Sequence, residues 1–329
     1  VACGSLSPEL LCQSLREVVS PEDTFIHARV RKIDTELQLV CTNKGDILYD
    51  HVVVATGARG SSGDRLHESA QHVLELKSIG DAVGIRNAIR DTLSNKQECR
   101  VIVVGGGPTG VELSAELMQM NPQQMRVTLV HGGDRLLDRF DERVSVHAFK
   151  RLQELGVITR LACRVASAST GVLHTEDGTS IEADVIVWTA GVVAQPPAMV
   201  PPGEVSPQGR LATDDYLRVA GMLNVWGLGD AAGQWPMHAQ AAVKQASVVA
   251  TNILRTQRSK PLQKFTWEAR GDLVSLGQWH AAGVVGGWLM RGAFTWWLWR
   301  TVYLMHFPSW KKRARVALAW TRHLFGWRD

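Results

Sequence analysis

A glycine-rich turn between an apolar strand and a helix most constrains what this chain of 329 residues can fold into. The segment from Val101 to Val104 predicts a buried strand, and the residues from Pro108 to Met118 predict a helix. The segment from Val127 to Val130 predicts a second strand. The pattern therefore predicts a βαβ unit with a turn of consecutive glycines at its first strand end.

Each glycine of the motif GGGPTG has its own task. Gly105 permits the tight turn, Gly107 lets the backbone approach a pyrophosphate, and Gly110 allows the helix to pack closely on the strand. The amino end of the helix then faces the phosphates, where its free N–H groups favour negative charge. The spacing predicts a site for a dinucleotide.

The position that ordinarily selects the nicotinamide nucleotide holds a histidine. An NAD-binding unit usually has Asp or Glu about 20 residues beyond the glycines, where it binds the ribose 2′-hydroxyl. The segment VTLVHGGDR has His131 there instead. Without a repelling carboxylate a 2′-phosphate is tolerated, and His131 or Arg135 is then its candidate contact. The alternative is that His131 only ends the strand and NADH is used.

Three further apolar runs end on small residues, as strands at the ligand-binding edge of an α/β sheet do. They are followed by the steps Ala55-Thr56-Gly57, Ala190-Gly191 and Gly229-Asp230. Asp230 opens a predicted helix, where a carboxylate can accept hydrogen bonds from the hydroxyls of a ribityl chain.

The cysteines and the net charge exclude several classes of protein. Five cysteines are scattered without C-x-x-C or metal-type spacing, which argues against a disulfide relay and a metal site and favours a reducing compartment. A formal charge of +4 is too small to indicate nucleic acid binding. We expect no signal peptide, because the chain opens without a charged n-region and an apolar h-region. We expect no membrane-spanning helix, because no run of about 20 apolar residues is uninterrupted.

The tail concentrates tryptophan and positive charge. From Trp288 onward the chain has seven of its twelve tryptophans, and eight basic residues against one acidic residue. We expect Pro308 and Ser309 to separate two helices. The second helix has basic residues on one side and apolar residues on the other; the basic ones are Lys311, Arg315 and Arg322, and the apolar ones are Val316, Ala317, Trp320 and Leu324.

Two interpretations of the tail remain open. Such a helix suits the plane of an anionic membrane surface, with Arg313 snorkelling from among the apolar positions. The aromatic residues of the preceding segment then form an interfacial belt; they are Trp296, Trp297, Trp299 and Tyr303. The alternative is a dimer interface or a helix packed on the body of the protein.

These motifs, taken in order, resemble the type II NAD(P)H:quinone oxidoreductases, which are flavoproteins with two dinucleotide-binding domains. The resemblance rests on GGGPTGVELSAEL, the step at residues 55–57, LRVAGMLNVWGLGDAA and the tail WRTVYLMHFPSWKKRARVALAW. It implies an α/β fold with two Rossmann-like domains, in which the FAD domain is interrupted by the NAD(P)H domain, and a membrane-binding tail. A quinone is then reduced without proton pumping, and quinones in lipid favour the membrane interpretation of the tail.

The resemblance also implies roles for single residues. Asp230 matches an aspartate that binds the flavin ribityl chain, and Glu112 matches a glutamate near flavin and nicotinamide. The segment HAQAAVKQA resembles the quinone-site helix of the family, in which Gln240 and Gln245 match but Lys244 replaces a glutamine. The Lys244 ammonium either stabilises a reduced quinone anion or is an ordinary solvated lysine.

The expected organisation follows from the resemblance. Residues 1–97 are expected to form the first part of an FAD domain, residues 98–192 the NAD(P)H domain, residues 193–260 the second part of the FAD domain, and residues 261–329 a C-terminal region that binds the membrane through residues 288–329. No glycine motif for the FAD pyrophosphate precedes Val52, so the first part of that domain is expected to be incomplete.

The expected partners are FAD, NADH or NADPH, a membrane quinone and a second copy of the chain, on a reducing face such as that of a bacterial, mitochondrial or plastid membrane. Two other functions remain open. One is an NADPH-dependent reductase of a biosynthetic naphthoquinone, for which His131 is the hint. The other is a flavin-free redox-sensing or interaction protein, which the missing first glycine motif supports.

Overall fold

The computed structural model describes residues 2–324 except residues 4, 5, 13, 16, 17, 207, 269, 270, 306 and 308. The chain forms two compact units. Unit 1 comprises residues 1–23, 60–191 and 269–329, and unit 2 comprises residues 24–59 and 192–268.

The strands in chain order are β1 Val30–Asp34, β2 Leu39–Thr42, β3 Gly45–Leu48, β4 Val52–Val54, β5 Ala58–Gly60, β6 Leu74–Glu75, β7 Cys99–Val104, β8 Met125–Val130, β9 Ile158–Arg160, β10 Val165–Ser169, β11 Val172–Thr175, β12 Ser180–Glu182, β13 Val185–Trp188, β14 Val192–Ala194, β15 Ala198–Val200, β16 Val225–Gly227, β17 Gly271–Ser275, β18 Ala281–Val285 and β19 Trp288–Arg291. The helices are α1 Pro8–Leu11, α2 Ser62–Leu66, α3 Ile79–Asn95, α4 Pro108–Met120, α5 Glu142–Glu154, α6 Ala239–Gln257, α7 Ala293–Met305 and α8 Trp310–Leu324, with 3₁₀ turns at His67–His72 and Gly229–Ala231.

A parallel sheet of five strands, in the order β6-β13-β7-β8-β9, organises unit 1. Five of the six residues of β7 are buried, since both faces of the sheet are covered. Helix α4 follows the glycine turn after β7 and buries Val111, Leu113 and Leu117 in the core. The predicted order of strand, turn, helix and strand is confirmed by β7, α4 and β8.

The segment before β7 also belongs to unit 1. Strand β6 pairs in parallel with β13, and α3 buries Ile85 and Ile89 in the same core as β7. A capping box in which Ser78 and Asp81 bond to each other's backbone N–H begins α3. We predicted that residues 1–97 form the first part of the FAD domain. The structure instead groups residues 1–23 and 60–97 with unit 1, and only residues 24–59 of this range belong to unit 2.

The C-terminal region packs on unit 1 as well. Strands β17, β18 and β19 form an antiparallel sheet, and Val274 and Leu276 join the core that contains β7 and α4. Helices α7 and α8 follow this sheet. The observed division lies at residues 268 and 269 rather than 260 and 261, and at residues 191 and 192 against the expected 192 and 193.

Unit 2 combines a four-stranded sheet with a parallel pair. The larger sheet has the order β15-β1-β2-β3, where β1 is parallel to β15 and antiparallel to β2. Strands β16 and β4 pair in parallel, and Trp226 of β16 is completely buried against residues of α6. Because unit 2 is built from two separate stretches of chain, the prediction of an α/β fold with one domain interrupted by the other is confirmed.

Candidate functional site

The glycine turn of unit 1 has the close contacts that the motif predicts. Gly105 has a φ of +117°, and a Cβ there would lie 2.8 Å from the backbone nitrogen of Ala190. A Cβ on Gly110 would lie 1.9 Å from the carbonyl oxygen of Gly105. Only glycine fits either position, because the second atom of each contact is backbone and cannot be rotated away.

The middle glycine faces open space. A Cβ on Gly107 would meet nothing within 4 Å, and Gly107 is also the N-cap of α4, with no side chain to satisfy the first N–H groups of the helix. Pro108 follows at the first helical position, where its missing N–H costs nothing. The turn therefore fits the pyrophosphate of a nicotinamide nucleotide, which would approach over Gly107 and accept hydrogen bonds from this helix end.

The two residues predicted to contact a 2′-phosphate are engaged within the protein. The N–H of Gly106 donates to Nδ1 of His131 at 3.1 Å, so the imidazole lies beneath the glycine turn. The guanidinium of Arg135 donates to the carbonyl oxygens of Asp138 and Phe140 in its own loop. The Nε2 atom of His131 is buried, and carbonyl oxygens hold the Arg135 guanidinium within its own loop.

Glu112 lies on the first turns of α4 and is half-buried. Its Oε1 accepts a hydrogen bond from the backbone N–H of Ser275 at 3.0 Å. Burial raises the pKa of the Glu112 carboxyl to about 7, the Ser275 N–H opposes that rise, and the charge of Glu116 adds to it. A carboxyl with this pKa exchanges a proton near neutral pH, which is what a general acid or base needs.

A second acid follows one helical turn later. Glu116 is four residues beyond Glu112, so both side chains lie on the same face of α4. Burial raises the pKa of Glu116, and the guanidinium of Arg300 on α7 opposes the rise. Arg300 is only 6% exposed and lies between two indoles, 4.3 Å from the ring centre of Trp296 and 4.5 Å from that of Trp320.

Both acids line a cavity in unit 1 of about 540 Å³. Its walls combine apolar side chains with a few polar ones, which is typical of pockets for small molecules. Apolar lining comes from residues such as Leu76, Leu113, Trp296, Trp299 and Trp320, and polar lining from residues such as Gln119, Ser275 and Gln278. The cavity thus places a group with a pKa near 7 in an apolar chamber large enough for an aromatic ring system.

Unit 2 contains the predicted step Ala55-Thr56-Gly57 directly after β4. The Thr56 hydroxyl donates to the carbonyl oxygen of Gln195 at 2.6 Å, and the N–H of Gln195 donates to the carbonyl of Gly57 at 3.1 Å. Gly57 has a φ of +69°, and a Cβ there would meet nothing within 4 Å. The backbone at this strand end is thus held by hydrogen bonds to Gln195, and the space next to Gly57 is free. Gly191, the other predicted strand-end glycine, has a φ of +91° in unit 1.

The turn after β16 carries Asp230. Gly229 has a φ of +67°, and its N–H donates to Oε1 of the buried Gln245 at 2.7 Å. The guanidinium of Arg210, 9% exposed, donates to the carbonyl oxygens of Gly229, Ala232 and Trp235, while Asp230 itself is half-buried. This end of unit 2 therefore fits the ribityl part of a flavin, because the Asp230 carboxylate can accept hydrogen bonds from its hydroxyl groups and the turn that carries Asp230 is held by side-chain hydrogen bonds.

The three residues predicted for quinone lie on α6 but differ in environment. Gln240 is exposed, whereas Gln245 is buried and its amide oxygen is already bonded to Gly229. Lys244 is exposed, and its ammonium donates to the carbonyl oxygen of Thr266 at 2.7 Å. Gln240 and Lys244 are therefore accessible, whereas Gln245 is not, and the Lys244 ammonium is already bonded to Thr266.

The faces of α8 differ from the expected ones. The apolar side predicted to meet a membrane packs on unit 1, because Val316 is completely buried and Trp320 covers Arg300. The exposed arc has apolar and basic residues together; they are Trp310, Lys311, Ala314, Arg315, Leu318, Thr321 and Arg322. Arg313 does not snorkel: it donates to the carbonyls of Met305 and Phe307 at the end of α7. Pro308 and the Leu324 side chain lie outside the described residues.

The expected aromatic belt is divided between core and surface. Trp296 is buried and Trp299 is half-buried, whereas Trp297 and Tyr303 are exposed. The outer face of α7 is an apolar stripe at helical spacing, with Phe294, Trp297 and Met305. Across the part of the chain that the structure describes, none of the helices has both the length and the apolar character needed to cross a bilayer.

Several residues of the site escape sequence reasoning. Glu116, Ser275 and Arg300 enter the unit 1 cavity, and Arg210 holds the turn that carries Asp230. Only Glu116 has a local signal, since it lies four residues beyond Glu112 on a predicted helix. The others come from distant parts of the chain and depend on tertiary packing.

Two protein-family models match the chain. The family model described as pyridine nucleotide-disulphide oxidoreductase matches residues 13–246. The model described as NDH2 C-terminal domain matches residues 270–329.

Three relatives illustrate the similarity. The chain is 28% identical over 325 residues to the type II NADH:quinone oxidoreductase of Haemophilus influenzae, covering 82% of this chain and 73% of the relative. It is 28% identical over 320 residues to the demethylphylloquinone reductase of a Synechocystis species, covering 92% and 79%. It is 30% identical over 275 residues to a mitochondrial external alternative NAD(P)H-ubiquinone oxidoreductase B1 of Solanum tuberosum, covering 70% of this chain. The chain spans 48% of the length of that potato protein.

A solved structure has the same fold. The structure of NDH2 from Plasmodium falciparum in complex with NADH superposes with a TM-score of 0.87 at 17% identity, over 100% of this chain and 90% of that one.

Proposed function

Because the chain belongs to the pyridine nucleotide-disulphide oxidoreductase family, we propose that it works as an NAD(P)H:quinone oxidoreductase. In this proposal it binds FAD, takes a hydride from NAD(P)H and passes two electrons to a membrane quinone without pumping protons. The observation that supports it best is that unit 1 contains both a glycine turn that fits a pyrophosphate and a half-buried acid, Glu112, whose pKa is raised to about 7.

The residues of the chain divide the work. The turn Gly105–Gly110 binds the pyrophosphate, and the N-terminus of α4 orients it. Asp230 and the backbone at residues 55–57 hold the flavin, which, when bound, supplies hydride acceptance and two-electron release. Glu112 exchanges a proton near neutral pH; Oε1 accepts from the Ser275 N–H, so Oε2 is the atom that gives the proton to the reduced quinone.

A visible absorption spectrum tests the central step. We expect the purified chain, supplied with FAD, to show a flavin band that bleaches when NADH or NADPH is added without oxygen and returns when a soluble quinone is added. The control is the same protein with the Asp230→Ala substitution, which removes the carboxylate proposed for the ribityl chain. A protein that takes up no flavin would contradict the proposal and favour the flavin-free redox sensor. Flavin that bleaches but does not return with quinone would leave a reductase with another acceptor.

The preferred quinone headgroup distinguishes a second candidate function, an NADPH-dependent naphthoquinone reductase, from the respiratory type of enzyme. The long match to a demethylphylloquinone reductase and the histidine at position 131 favour a naphthoquinone and NADPH. Turnover with a short-chain naphthoquinone and a short-chain benzoquinone compares the two directly. A preference for the benzoquinone would support the respiratory type of enzyme instead.

We also propose that the exposed faces of α7 and α8 bind an anionic membrane surface. Trp310 and Leu318 provide apolar contact, the stripe on α7 adds to it, and Lys311, Arg315 and Arg322 add positive charge without an acid on the same arc. Each cation contributes about 1 kcal/mol near an anionic surface. Binding here brings a lipid-dissolved quinone to the protein.

Flotation with vesicles measures this binding. We expect the protein to float with vesicles of phosphatidylcholine containing about one-third phosphatidylglycerol, because such a surface attracts basic amphipathic helices. The triple change of Lys311, Arg315 and Arg322 to Gln should weaken binding about 100-fold, which corresponds to about 1 kcal/mol for each lost charge.

The control for flotation is the triple change of Arg29, Arg31 and Lys44 to Gln, which removes the same charge from exposed positions of unit 2. Equal loss in both triples would mean that net charge alone drives binding. Unchanged flotation of the α8 triple, together with a shift from dimer to monomer in sedimentation, would assign the surface to a second copy of the chain.

A further inference from the structure

In this type of nucleotide site, the loop after the second strand, here β8, contacts the 2′ position of the ribose. Its first residue, His131, turns inward: Nδ1 accepts from Gly106, and Nε2 is buried and has no hydrogen-bond partner among the described residues. A Cβ on Gly133 would lie 2.8 Å from Nε2, so the loop covers the ring. With His131 at this position, the site lacks the usual carboxylate, and the buried imidazole does not contact the ribose 2′ group.

The neighbouring loop brings an arginine to the same place. Strand β9 is parallel to β8, so the loops that follow both strands emerge at one edge of the sheet. Two backbone hydrogen bonds join these loops: the N–H of Ala162 donates to Gly133 at 2.6 Å, and the N–H of Cys163 donates to His131 at 2.9 Å. Arg164 is the next residue, and its position relative to the β8 loop is therefore fixed by backbone.

Arg164 lies against the loop with its charge free. A Cβ on Gly132 would lie 3.3 Å from Cγ of Arg164, so the aliphatic part of the side chain runs along this glycine. The side chain is exposed, and within the described ranges its guanidinium has neither a hydrogen bond nor an ion pair. Arg135, the cation that the sequence suggested, is by contrast bonded to carbonyl oxygens of its own loop.

We propose that Arg164 binds the 2′-phosphate of NADPH, and that the site prefers 2′-phosphorylated nucleotides to NADH. A guanidinium can donate two parallel hydrogen bonds to phosphate oxygens, which makes arginine suited to this group. Other charged residues near this edge include Arg160, exposed at the end of β9, Asp134, exposed in the β8 loop, and the exposed Glu176, whose backbone N–H donates to the carbonyl oxygen of Arg164 at 2.9 Å. This inference rests on the nucleotide site of the proposed function and names its substrate class.

Two adenosine nucleotides test the inference by binding rather than by activity. Adenosine 2′,5′-bisphosphate and 5′-AMP differ only in the 2′-phosphate, and isothermal titration gives a Kd for each. We expect the protein to bind the bisphosphate more tightly. Arg164→Gln should weaken the bisphosphate about tenfold, the effect of one lost charge-assisted contact, and leave 5′-AMP unchanged.

Two further variants complete the test. Arg139→Gln removes the same charge from another exposed residue and should change neither Kd. His131→Glu restores a carboxylate at the end of β8 and should lower the preference for the bisphosphate. NADPH and NADH turnover should follow the same order.

The outcomes separate the inference from the function on which it rests. If both nucleotides bind and Arg164→Gln leaves their ratio unchanged, the inference is wrong and the nucleotide site stands. If 5′-AMP binds as tightly as the bisphosphate, the preference for the 2′-phosphate is wrong. If neither nucleotide binds to the wild-type protein, the proposed nucleotide site and the inference both fail.

Discussion

Gly110→Val is expected to abolish the binding of nicotinamide nucleotides. A Cβ at this position would lie 1.9 Å from the carbonyl oxygen of Gly105 and 2.7 Å from the hydroxyl of Thr189. The Gly105 backbone is itself held, because its N–H donates to the carbonyl oxygen of Val130 at 2.8 Å. The turn must open to admit the side chain, and we expect the Kd for NADH and NADPH to rise more than about 100-fold, a loss of about 3 kcal/mol.

A second glycine keeps this prediction informative if Gly110→Val does not fold. Gly107→Ala meets nothing within 4 Å, so the protein should fold normally. Its methyl group nevertheless occupies the space through which a pyrophosphate approaches, and nucleotide binding should weaken at least tenfold.

The matched control is Gly84→Ala in α3, where a Cβ is equally free of contacts. It should leave binding unchanged and stabilise the fold by about 0.5–1 kcal/mol, since alanine is the better helix former. Wild-type affinity in Gly107→Ala would mean that the pyrophosphate does not pass over this residue.

Glu112→Gln is expected to reduce quinone turnover at least about 100-fold, the usual contribution of a general acid. The variant keeps the hydrogen bond from Ser275, because an amide oxygen also accepts, and it loses only the proton. Wild-type turnover should fall as the pH rises through about 7, the pKa of the Glu112 carboxyl, whereas the variant should be slow at every pH. Steady-state rates measured from about pH 5.5 to about pH 9, a range that brackets this pKa, compare the pH dependence of the wild type with that of the variant.

Although Glu112→Gln is expected to lower turnover, it is expected to raise the free energy of unfolding above neutral pH. The folded pKa of about 7 lies above the ordinary value of 4.5, so the folded state binds the proton more tightly than the unfolded chain. This stabilisation is fully present below pH 4.5 and is lost as the pH rises through 7, a change on the order of 3 kcal/mol. Glu112→Gln should therefore unfold at a higher denaturant concentration than the wild type at pH 8.

Glu176→Gln is the control, because Glu176 is exposed in unit 1 and lies outside the cavity. It should change neither the rates nor the stability profile. A Glu112→Gln protein that keeps wild-type turnover and its fall above pH 7 would show that another group supplies the proton.

The sequence was most informative where function depends on local spacing. The glycines at 105, 107 and 110 and the strands on either side followed from the pattern. The resemblance to type II NAD(P)H:quinone oxidoreductases is confirmed by the matches at residues 13–246 and 270–329. These features are local, because a turn that requires positive φ or close backbone contact admits only glycine.

The tail marks the limit of such reasoning. Periodicity identified α8 and its two sides, yet it could not decide which side faces the protein. On the predicted apolar face, Val316 is buried and the half-buried Trp320 packs over Arg300, while Trp310 and Leu318 are exposed together with the basic residues. A hydrophobic stripe predicts that something covers it, but its partner is set by residues far away in the chain.

The sequence by itself therefore determined the type of nucleotide turn, its position between β7 and α4, and the absence of a carboxylate at the end of β8. Only the tertiary structure decided the rest: Ser275 reaches Glu112, Arg300 faces Glu116, Arg135 is used by its own loop and Arg164 lies beside Gly132. The reason is physical. Backbone sterics act between neighbours in the chain, whereas burial, pKa and the pairing of charges depend on which distant segments the fold brings together.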